Sequence, residues 1–276
     1  MKKNIVVILF ILQLSCAKPP QDSVTLEIHY KPETKYHYTS EQTLQSVINY
    51  TGKQKALQEL KKRGIQNPGI TNKTITVEAI LKTGKLDNES YFPVKVEYIR
   101  ILKNDEEEEF PINATIHGKC LNDQQPVFDI LIAEGLDKKY KMALLESWQN
   151  TFSQLSFPGE KIKVGEQFSS KSPYLIPMEG SEIEMTVKTH YKLISIKDGM
   201  ADFDISQQYT MNPRLMDNSF KGTVKGEGHM VYDISNRIAL NYILKTEMVL
   251  HKNLDSFEFE LKTMSGFIQK MNISPE

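Results

Sequence analysis

An alternation of apolar and polar residues with a period of two is the feature that most constrains the fold of this chain. In the segment SEIEMTVKTHYKL, residues 181–193, one set of alternate positions is apolar or weakly polar: Ile183, Met185, Val187, Thr189, Tyr191 and Leu193. The positions between them hold charged and polar side chains, among them Glu182, Glu184, Lys188, His190 and Lys192. Since successive side chains of a strand point to opposite sides of a sheet, the pattern predicts a long antiparallel strand with one buried face and one face in water.

The same alternation recurs along the chain, so the predicted fold class is mainly β. In residues 237–251, the apolar positions are Ile238, Leu240, Tyr242, Leu244, Met248 and Leu250. Further strands are predicted at residues 24–30, 35–48, 74–83, 94–102, 114–119, 127–132, 201–211, 222–234 and 256–264. Short links such as Lys197-Asp198-Gly199 indicate hairpins, and the regular alternation of strands and helices that builds a parallel sheet is missing. The expected architecture is therefore long antiparallel strands in a curved sheet, an open barrel or a sandwich.

Two segments have the spacing of helices instead. Residues 137–156 begin with Asp137, a capping residue type, and end before Pro158-Gly159. Their apolar stripe consists of Tyr140, Leu144, Leu145, Trp148, Phe152 and Leu155. A shorter helix is predicted at residues 53–63, where Gly64 ends it. We expect the longer helix to lie across the sheet or to plug its mouth.

The first 23 residues have the features of a secreted protein that is held on a membrane. Lys2 and Lys3 precede an apolar run at residues 5–12, which is far shorter than the roughly 20 residues of a membrane span. Leu14-Ser15-Cys16 then resembles the bacterial lipobox, although Gln13 stands where an apolar residue is usual. This resemblance implies a signal peptide at residues 1–15, acylation of Cys16 with chains such as palmitate, and a proline-containing tether at residues 16–23. The alternative is an ordinary signal peptide with a structural cysteine at position 16.

Residues 24–276 are predicted to form the β-rich domain, either as one unit or as two similar halves. The halves would be residues 24–135 and 159–276, separated by the longer helix, and a Gly-containing stretch around Gly118 resembles one around Gly226. Two unrelated hairpins with the same turn chemistry would look alike. If Cys16 carries lipid, Cys120 is left without a cysteine partner, either as a structural residue or as a reactive thiol.

Composition and charge exclude some partners. The chain has 34 Lys and Arg against 35 Asp and Glu, and loss of Lys2 and Lys3 with the signal peptide moves the formal net charge from −1 to −3. Such a chain has no electrostatic attraction for nucleic acid, so we expect no nucleic-acid partner. A hydrophobic content of 39% supports a packed core.

Motifs with a defined chemistry are missing from the sequence. The six histidines do not have the spacing of a zinc site, so no metal and no cofactor are predicted. The acidic run at residues 105–109 lacks the spacing of a calcium loop and is interpreted as a solvated hairpin tip. No nucleophile elbow or phosphate loop occurs, so no catalytic residue is nominated. Paired carboxylates for glycoside hydrolysis need only spatial closeness, which keeps a hydrolase among the alternatives.

Several segments resemble a family of Bacteroidetes lipoproteins of uncharacterised function. The resemblance rests on FPGEKIKVGEQF at residues 157–168, on the strand pair THYKLISIKDGMADFDI and on the hairpin GTVKGEGHMVYDI. It covers roughly residues 24–252. The matching positions are Val164-Gly165-Glu166, Tyr191-Lys192-Leu193, Gly199, Ala201 and Gly226-Glu227-Gly228, while Phe168 stands where the family has Trp. The family implies a lipid anchor and a β fold, and it supplies no agreed catalytic or binding residues.

Three functions are therefore considered for the chain. The first is a non-enzymatic lipoprotein of the outer membrane or periplasm that binds a protein or glycan partner or assists envelope upkeep. The second is a carrier of an apolar ligand or lipid in a half-barrel cavity lined by Met185, Tyr191, Tyr242 and Met248, with the helix of Trp148 as a lid. The third is a hydrolase with unidentified carboxylates, for which two carboxyl groups with raised pKa in a cleft would be the sign.

Overall fold

The structure is a computed structural model that describes residues 22–87, 90–107, 114–121, 124–153, 157, 159–178, 181–211, 220–253 and 256–275. In the first half of the chain the elements are β1 (Ser23–Thr25), β2 (Thr34–Gly52), α1 (Gln54–Lys62), β3 (Gly69–Thr83), β4 (Tyr91–Lys103), β5 (Glu106–Glu107), β6 (Thr115–Leu121), β7 (Val127–Ile132) and α2 (Lys138–Ser153). In the second half they are β8 (Lys161–Lys163), β9 (Gln167–Met178), β10 (Ser181–Lys197), β11 (Met200–Met211), β12 (Phe220–Asp233), β13 (Ile238–Asn253) and β14 (Phe257–Pro275).

Most strands belong to one large antiparallel sheet. Its order is β7-β6-β4-β3-β2-β14-β13-β12-β11-β10-β9, and β5 pairs with β4 at the side. The last strand, β14, lies beside the first long strand, β2, in the middle of the sheet, with an unbroken register from Phe257 opposite Gly52 to Pro275 opposite Thr34. The two edges, β7 and β9, come from the middle of the chain and do not pair with each other among the described residues, so the sheet is open there. The predicted class, mainly β with long antiparallel strands, a curved open sheet and two helices, is confirmed.

A segment that we call the strap, residues 22–33, crosses one end of the sheet, the strap end. The Tyr232 hydroxyl donates a hydrogen bond of 2.6 Å to the Glu27 carbonyl, and the Glu33 amide donates one of 3.1 Å to the Gly84 carbonyl. Val24 and Leu26 of the strap are buried against the sheet. The predicted strand at residues 24–30 is therefore wrong beyond β1, because the chain runs across the strand ends and bonds to their turns. The opposite end of the sheet, where α1 joins β2 to β3, is the far end.

One edge of the sheet is an unpredicted strand. Strand β9 contains Pro173 and Pro177, although proline cannot donate a hydrogen bond to a ladder. They lie four residues apart, so both nitrogens are directed to the same side, away from the ladder with β10. Two donors are thus absent from the outer side of β9, which is a common protection of an edge against further pairing.

The opposite edge is covered by a helix. Gln149 of α2 accepts a hydrogen bond of 3.2 Å from the Phe128 amide of β7, and its own amide donates one of 3.2 Å to the Pro126 carbonyl. The side chain thereby takes the place of a neighbouring strand. Asp137 caps the helix as predicted, because its carboxylate accepts a hydrogen bond of 2.8 Å from the Tyr140 amide. Residues 154–156 of the predicted helix lie outside the described residues.

The remaining predicted local features are mostly confirmed. The helix predicted at residues 53–63 is α1, and Gly64 follows it with a φ of 77°. Asp198 and Gly199 both have positive φ, as the two-residue turn between β10 and β11 requires. Asn104 and Asp105 form the same kind of turn, which confirms the hairpin tip as far as Glu107; Glu108 and Glu109 lie outside the described residues. Strand β14 continues to Pro275, well beyond the predicted end at residue 264.

Replacing Gln149 with Ala removes both hydrogen bonds to the edge of β7, and we expect it to lower the free energy of unfolding by about 1–2 kcal/mol. Urea unfolding followed by Trp148 fluorescence measures the change. Glu146→Ala, an exposed position of the same helix, is the matched control and should stay within about 0.5 kcal/mol of the wild type. Equal midpoints for the two variants would show that Gln149 does not protect the edge.

Candidate functional site

The first group of buried side chains fills the sheet beneath α2. The Trp148 ring lies 5.4 Å from the ring centre of Tyr38, 5.7 Å from that of Tyr98 and 6.4 Å from that of Phe128. Its indole N–H donates a hydrogen bond to the Tyr98 hydroxyl. Trp148 is therefore packed between the helix and three strands, with its polar group satisfied, as buried tryptophans require.

A second group lies under the strap, toward the other edge of the sheet. Tyr191 stacks on Phe168 with ring centres 4.7 Å apart, and Phe157 packs edge-on against both rings. Tyr191 also shares a hydrogen bond with Tyr242, and burial raises the pKa of both phenols. Both hydroxyls thus stay protonated at neutral pH and act only as hydrogen-bonding groups.

The third group shows how strongly the sheet curls. Met185 of β10 and Leu250 of β13 are buried against each other, with Met248 partly buried beside them. Strands β11 and β12 lie between β10 and β13, a path of about 14 Å along a flat sheet at the usual strand spacing. The two side chains meet only because the sheet bends around them.

Glycines of β12 make this bend feasible. A Cβ atom on Gly222 would come within 2.4 Å of Leu250 Cδ2, and one on Gly226 within 2.7 Å of Gln207 Oε1. The neighbouring side chains occupy the space that a β12 side chain would need. Gln207 then donates to Thr189 Oγ1 at 3.1 Å and accepts from the Tyr209 hydroxyl at 2.7 Å.

The five residues proposed to line an apolar-ligand cavity are thus distributed among three groups. Tyr191 and Tyr242 lie together under the strap, Met185 and Met248 lie together near β13, and Trp148 lies beneath α2. The described residues do not place the five around a shared cavity. Each of these positions is packed against the protein's own side chains.

The two cysteines have separate environments. Cys16 lies outside the described residues. Cys120 is a free cysteine on β6 with no solvent exposure, and burial raises the pKa of its thiol to about 12. Since the thiolate is the reactive form, Cys120 is inert at neutral pH and acts as a core residue.

The candidate binding site is a cavity of about 240 Å³ at the far end of the sheet. Three neighbouring strands, β2, β14 and β13, supply its residues: Asn49, Thr51, His251, Asn253, Glu258, Phe259 and Glu260. The strand register sets Asn49 opposite Glu260 and Glu260 opposite His251. Residues more than 200 positions apart in sequence therefore meet, because the two halves of the chain pair at β2 and β14.

Glu260 is the electrostatic centre of this cavity. Its Oε1 lies 2.9 Å from Lys262 Nζ, its Oε2 lies 3.7 Å from His251 Nε2, and it shares a hydrogen bond with Asn49. The hydrogen bond from Lys262, helped by the other two groups, holds the pKa of Glu260 below its usual value. Glu260 is therefore a carboxylate at neutral pH, ready to accept hydrogen bonds and unsuited to donate a proton.

An aromatic cluster lies on the opposite face of β2 and β14, because the Phe259 side chain alternates with those of Glu258 and Glu260, which line the cavity. Phe259 lies 6.4 Å from Tyr50, ring centre to ring centre, and Tyr50 lies 5.8 Å from Phe257. Gly52 is opposite Phe257, and a Cβ atom there would come within 2.7 Å of the Phe257 Cα atom. The site itself combines amide, carboxylate, imidazole and hydroxyl side chains, and the aromatic cluster packs behind it on the other face of the sheet.

Sequence reasoning did not identify these residues as a site. The period-two pattern correctly places His251 on the polar side of its strand, but a polar side normally means a solvated face. The cavity arises from the register of three strands and from sheet curvature, and neither is encoded in a local motif. No signal in the separate segments pointed to it.

The described residues give no support to the hydrolase alternative. Among them, no group of three or more His, Cys, Asp or Glu side chains is placed to hold a metal. Three described carboxyl groups, those of Glu97, Asp233 and Glu260, have a pKa below the ordinary value for their residue type. Burial alone would raise the pKa of Asp233, but hydrogen bonds from Asn236 and Ser235 stabilise the carboxylate and lower the pKa by more. A general acid would need a raised pKa.

Comparisons with known proteins add little to the site. No protein-family model and no curated protein matches the chain. Among solved structures, a mutant of the Rh. blastica porin is 9% identical with a TM-score of 0.24, over 87% of this chain and 100% of the porin chain. Pseudomonas aeruginosa OccK11 (OpdR) is 5% identical with a TM-score of 0.22, over 90% of this chain and 98% of its own. Likenesses of this size are no basis for a function. Within the part of the chain that is described, no helix has the length and apolar character of a membrane span.

Replacing Met185 with Ala tests whether the curled part of the sheet is filled. If Met185 packs against Leu250 as the structure shows, the change leaves a cavity and lowers the free energy of unfolding by about 2–5 kcal/mol. Met264→Ala, at a position that is 57% exposed, is the control and should have little effect. A ligand-free protein that tolerates Met185→Ala as well as Met264→Ala would indicate an unfilled carrier cavity.

Proposed function

We propose that this chain is a lipid-anchored, non-enzymatic binding protein of the cell envelope that presents its far-end cavity to a polyhydroxylated ligand such as a glycan. The observation that carries the proposal is the placement of the two functional features. The chain enters the sheet at Asp22 at the strap end, whereas the cavity lies at the far end of strands β2 and β14, each 19 residues long. At the usual rise per residue these strands span about 60 Å.

The lining of the cavity favours hydroxyl groups as ligands. Amide, carboxylate and hydroxyl side chains offer donors and acceptors side by side, which suits the neighbouring hydroxyls of a sugar. The volume of about 240 Å³ is below that of typical drug-sized pockets, so it fits a single ring. An apolar ligand would leave the carboxylates and amides without partners, which is unfavourable.

The anchor follows from the N-terminal sequence together with the strap. Cys16 precedes Asp22 by six residues, and the strap that follows is held to the turns of β3 and β13 by hydrogen bonds. A lipid on Cys16 would thus lie six positions before a segment that hydrogen bonds hold to the sheet. The resulting location is the outer membrane, on its periplasmic or surface face.

Binding should depend on Glu260. We expect Glu260→Gln, which removes the charge and keeps the shape, to weaken binding to its oligosaccharide by about tenfold or more, the value of one charged hydrogen bond. An array of immobilised bacterial and host oligosaccharides identifies the ligand, and titration calorimetry compares the variants. Glu247→Gln is the matched control, since it makes the same change at an exposed position of β13 outside the cavity. Two outcomes would overturn the glycan proposal. The wild type binds no oligosaccharide on the array, or Glu260→Gln binds each one as well as the wild type does.

The anchor is tested separately. In bacteria that express the full chain, we expect palmitate labelling and a membrane-bound protein, and we expect Cys16→Ser to abolish both. Cys120→Ser is the control and should still be labelled, since its buried thiol takes no lipid. Unlabelled wild-type protein would exclude the anchor.

A further inference from the structure

Four exposed aliphatic side chains lie at or beside turns of the strap end. Leu86 lies in the turn between β3 and β4, Leu121 and Val127 flank the turn between β6 and β7, and Val164 lies in the turn between β8 and β9. Their exposed fractions are 48%, 42%, 53% and 44%. Leu86 and Val164 lie in the turns themselves, where polar residues are usual, and Leu121 and Val127 are the strand residues on either side of a turn.

The chain leaves the fold directly beside one of these turns. The Val164 amide donates a hydrogen bond of 2.8 Å to the carbonyl of Asp22, the first described residue. Six residues separate Asp22 from Cys16, and even fully extended they reach only about 20 Å. A bilayer that holds the lipid on Cys16 therefore lies within this distance of the Val164 turn.

We infer that the strap end rests on the lipid bilayer, with Leu86, Leu121, Val127 and Val164 in contact with the interfacial region. This inference rests on the proposed acylation of Cys16 and adds a defined orientation of the domain to the proposed anchor. Because the tether makes the contact intramolecular, the effective concentration of the bilayer is in the millimolar range, and weak apolar contacts suffice. The far-end cavity then faces away from the membrane.

The charges at the strap end predict how the contact depends on lipid type. Exposed lysines adjoin the aliphatic side chains, with Lys85 before Leu86 and Lys163 before Val164. Exposed carboxylates lie equally near, as Glu166 does. With both signs present, anionic lipid adds little attraction, so the contact should be similar on neutral and anionic bilayers.

Site-specific labelling tests the orientation in the acylated full chain. Leu86→Cys and Val164→Cys are each coupled to a polarity-sensitive fluorophore, with Ile70→Cys at the far end, where Ile70 is 61% exposed, as the matched control. Cys120 does not compete, because it is buried and its pKa is raised to about 12, and acylation blocks Cys16. The proteins are reconstituted in phosphatidylcholine vesicles and in vesicles that also contain phosphatidylglycerol, each with brominated lipid as quencher.

We expect quenching at positions 86 and 164 to be several-fold stronger than at position 70, and similar in the two kinds of vesicle. Mass spectrometry of the N-terminal peptide is run on the same samples. Equal quenching at all three positions with an acylated Cys16 would overturn the orientation and leave the anchor intact. An unacylated Cys16 would overturn the anchor and this inference together, and quenching found only with phosphatidylglycerol would overturn the apolar contact.

Discussion

The pairing of β14 with β2 is the interaction on which the rest of the structure depends. It joins residues 34–52 to residues 257–275 over nineteen consecutive positions without a bulge. The first half of the chain builds outward from β2 to the β7 edge, and the second half builds inward from the β9 edge to β14. Without this ladder the chain would form two smaller sheets, each with a further open edge. The polar cavity, whose residues come from both sides of the ladder, would not exist.

Formation of the β2–β14 ladder has a high entropic cost, because the paired residues are more than 200 positions apart in sequence. Long-range strand pairing loses loop entropy before contacts compensate, and it leaves strand edges exposed while it forms. Protected edges reduce the risk that a partly folded chain pairs with another chain before the β2–β14 ladder forms. Prolines protect β9 and Gln149 protects β7, so the edges of the folded sheet do not invite a further strand. A partner that adds a strand to the sheet is therefore disfavoured, and recognition has to use side chains on the surface.

The sequence predicts elements well where a single physical rule decides them. Period-two alternation correctly identified the buried positions of β10, from Met185 to Leu193, because one face of that strand packs and the other is solvated. It failed at residues 26–30, which have the composition of a strand but follow the sheet end, and at β9, where Pro173 and Pro177 suggest a break. In both places tertiary position decides, since a strap needs turns to bond to and an edge strand tolerates proline. The candidate site was not predictable, because Asn49 and His251 become neighbours only through the register of β14 between them.

The filled interior and the polar cavity together restrict where binding energy can come from. Open, curved sheets commonly bind apolar ligands in their concavity, but here Trp148, Tyr191 and Met185 already occupy it in three places, each with its own packing partners. An apolar ligand would have to displace side chains whose burial stabilises the fold by roughly 1.5–3 kcal/mol each. A hydroxyl-rich ligand at the far end displaces only water, and it meets a carboxylate already fixed by Lys262, His251 and Asn49. Since such preorganised acceptors lose little entropy on binding, the far end is the more favourable location for recognition in this molecule.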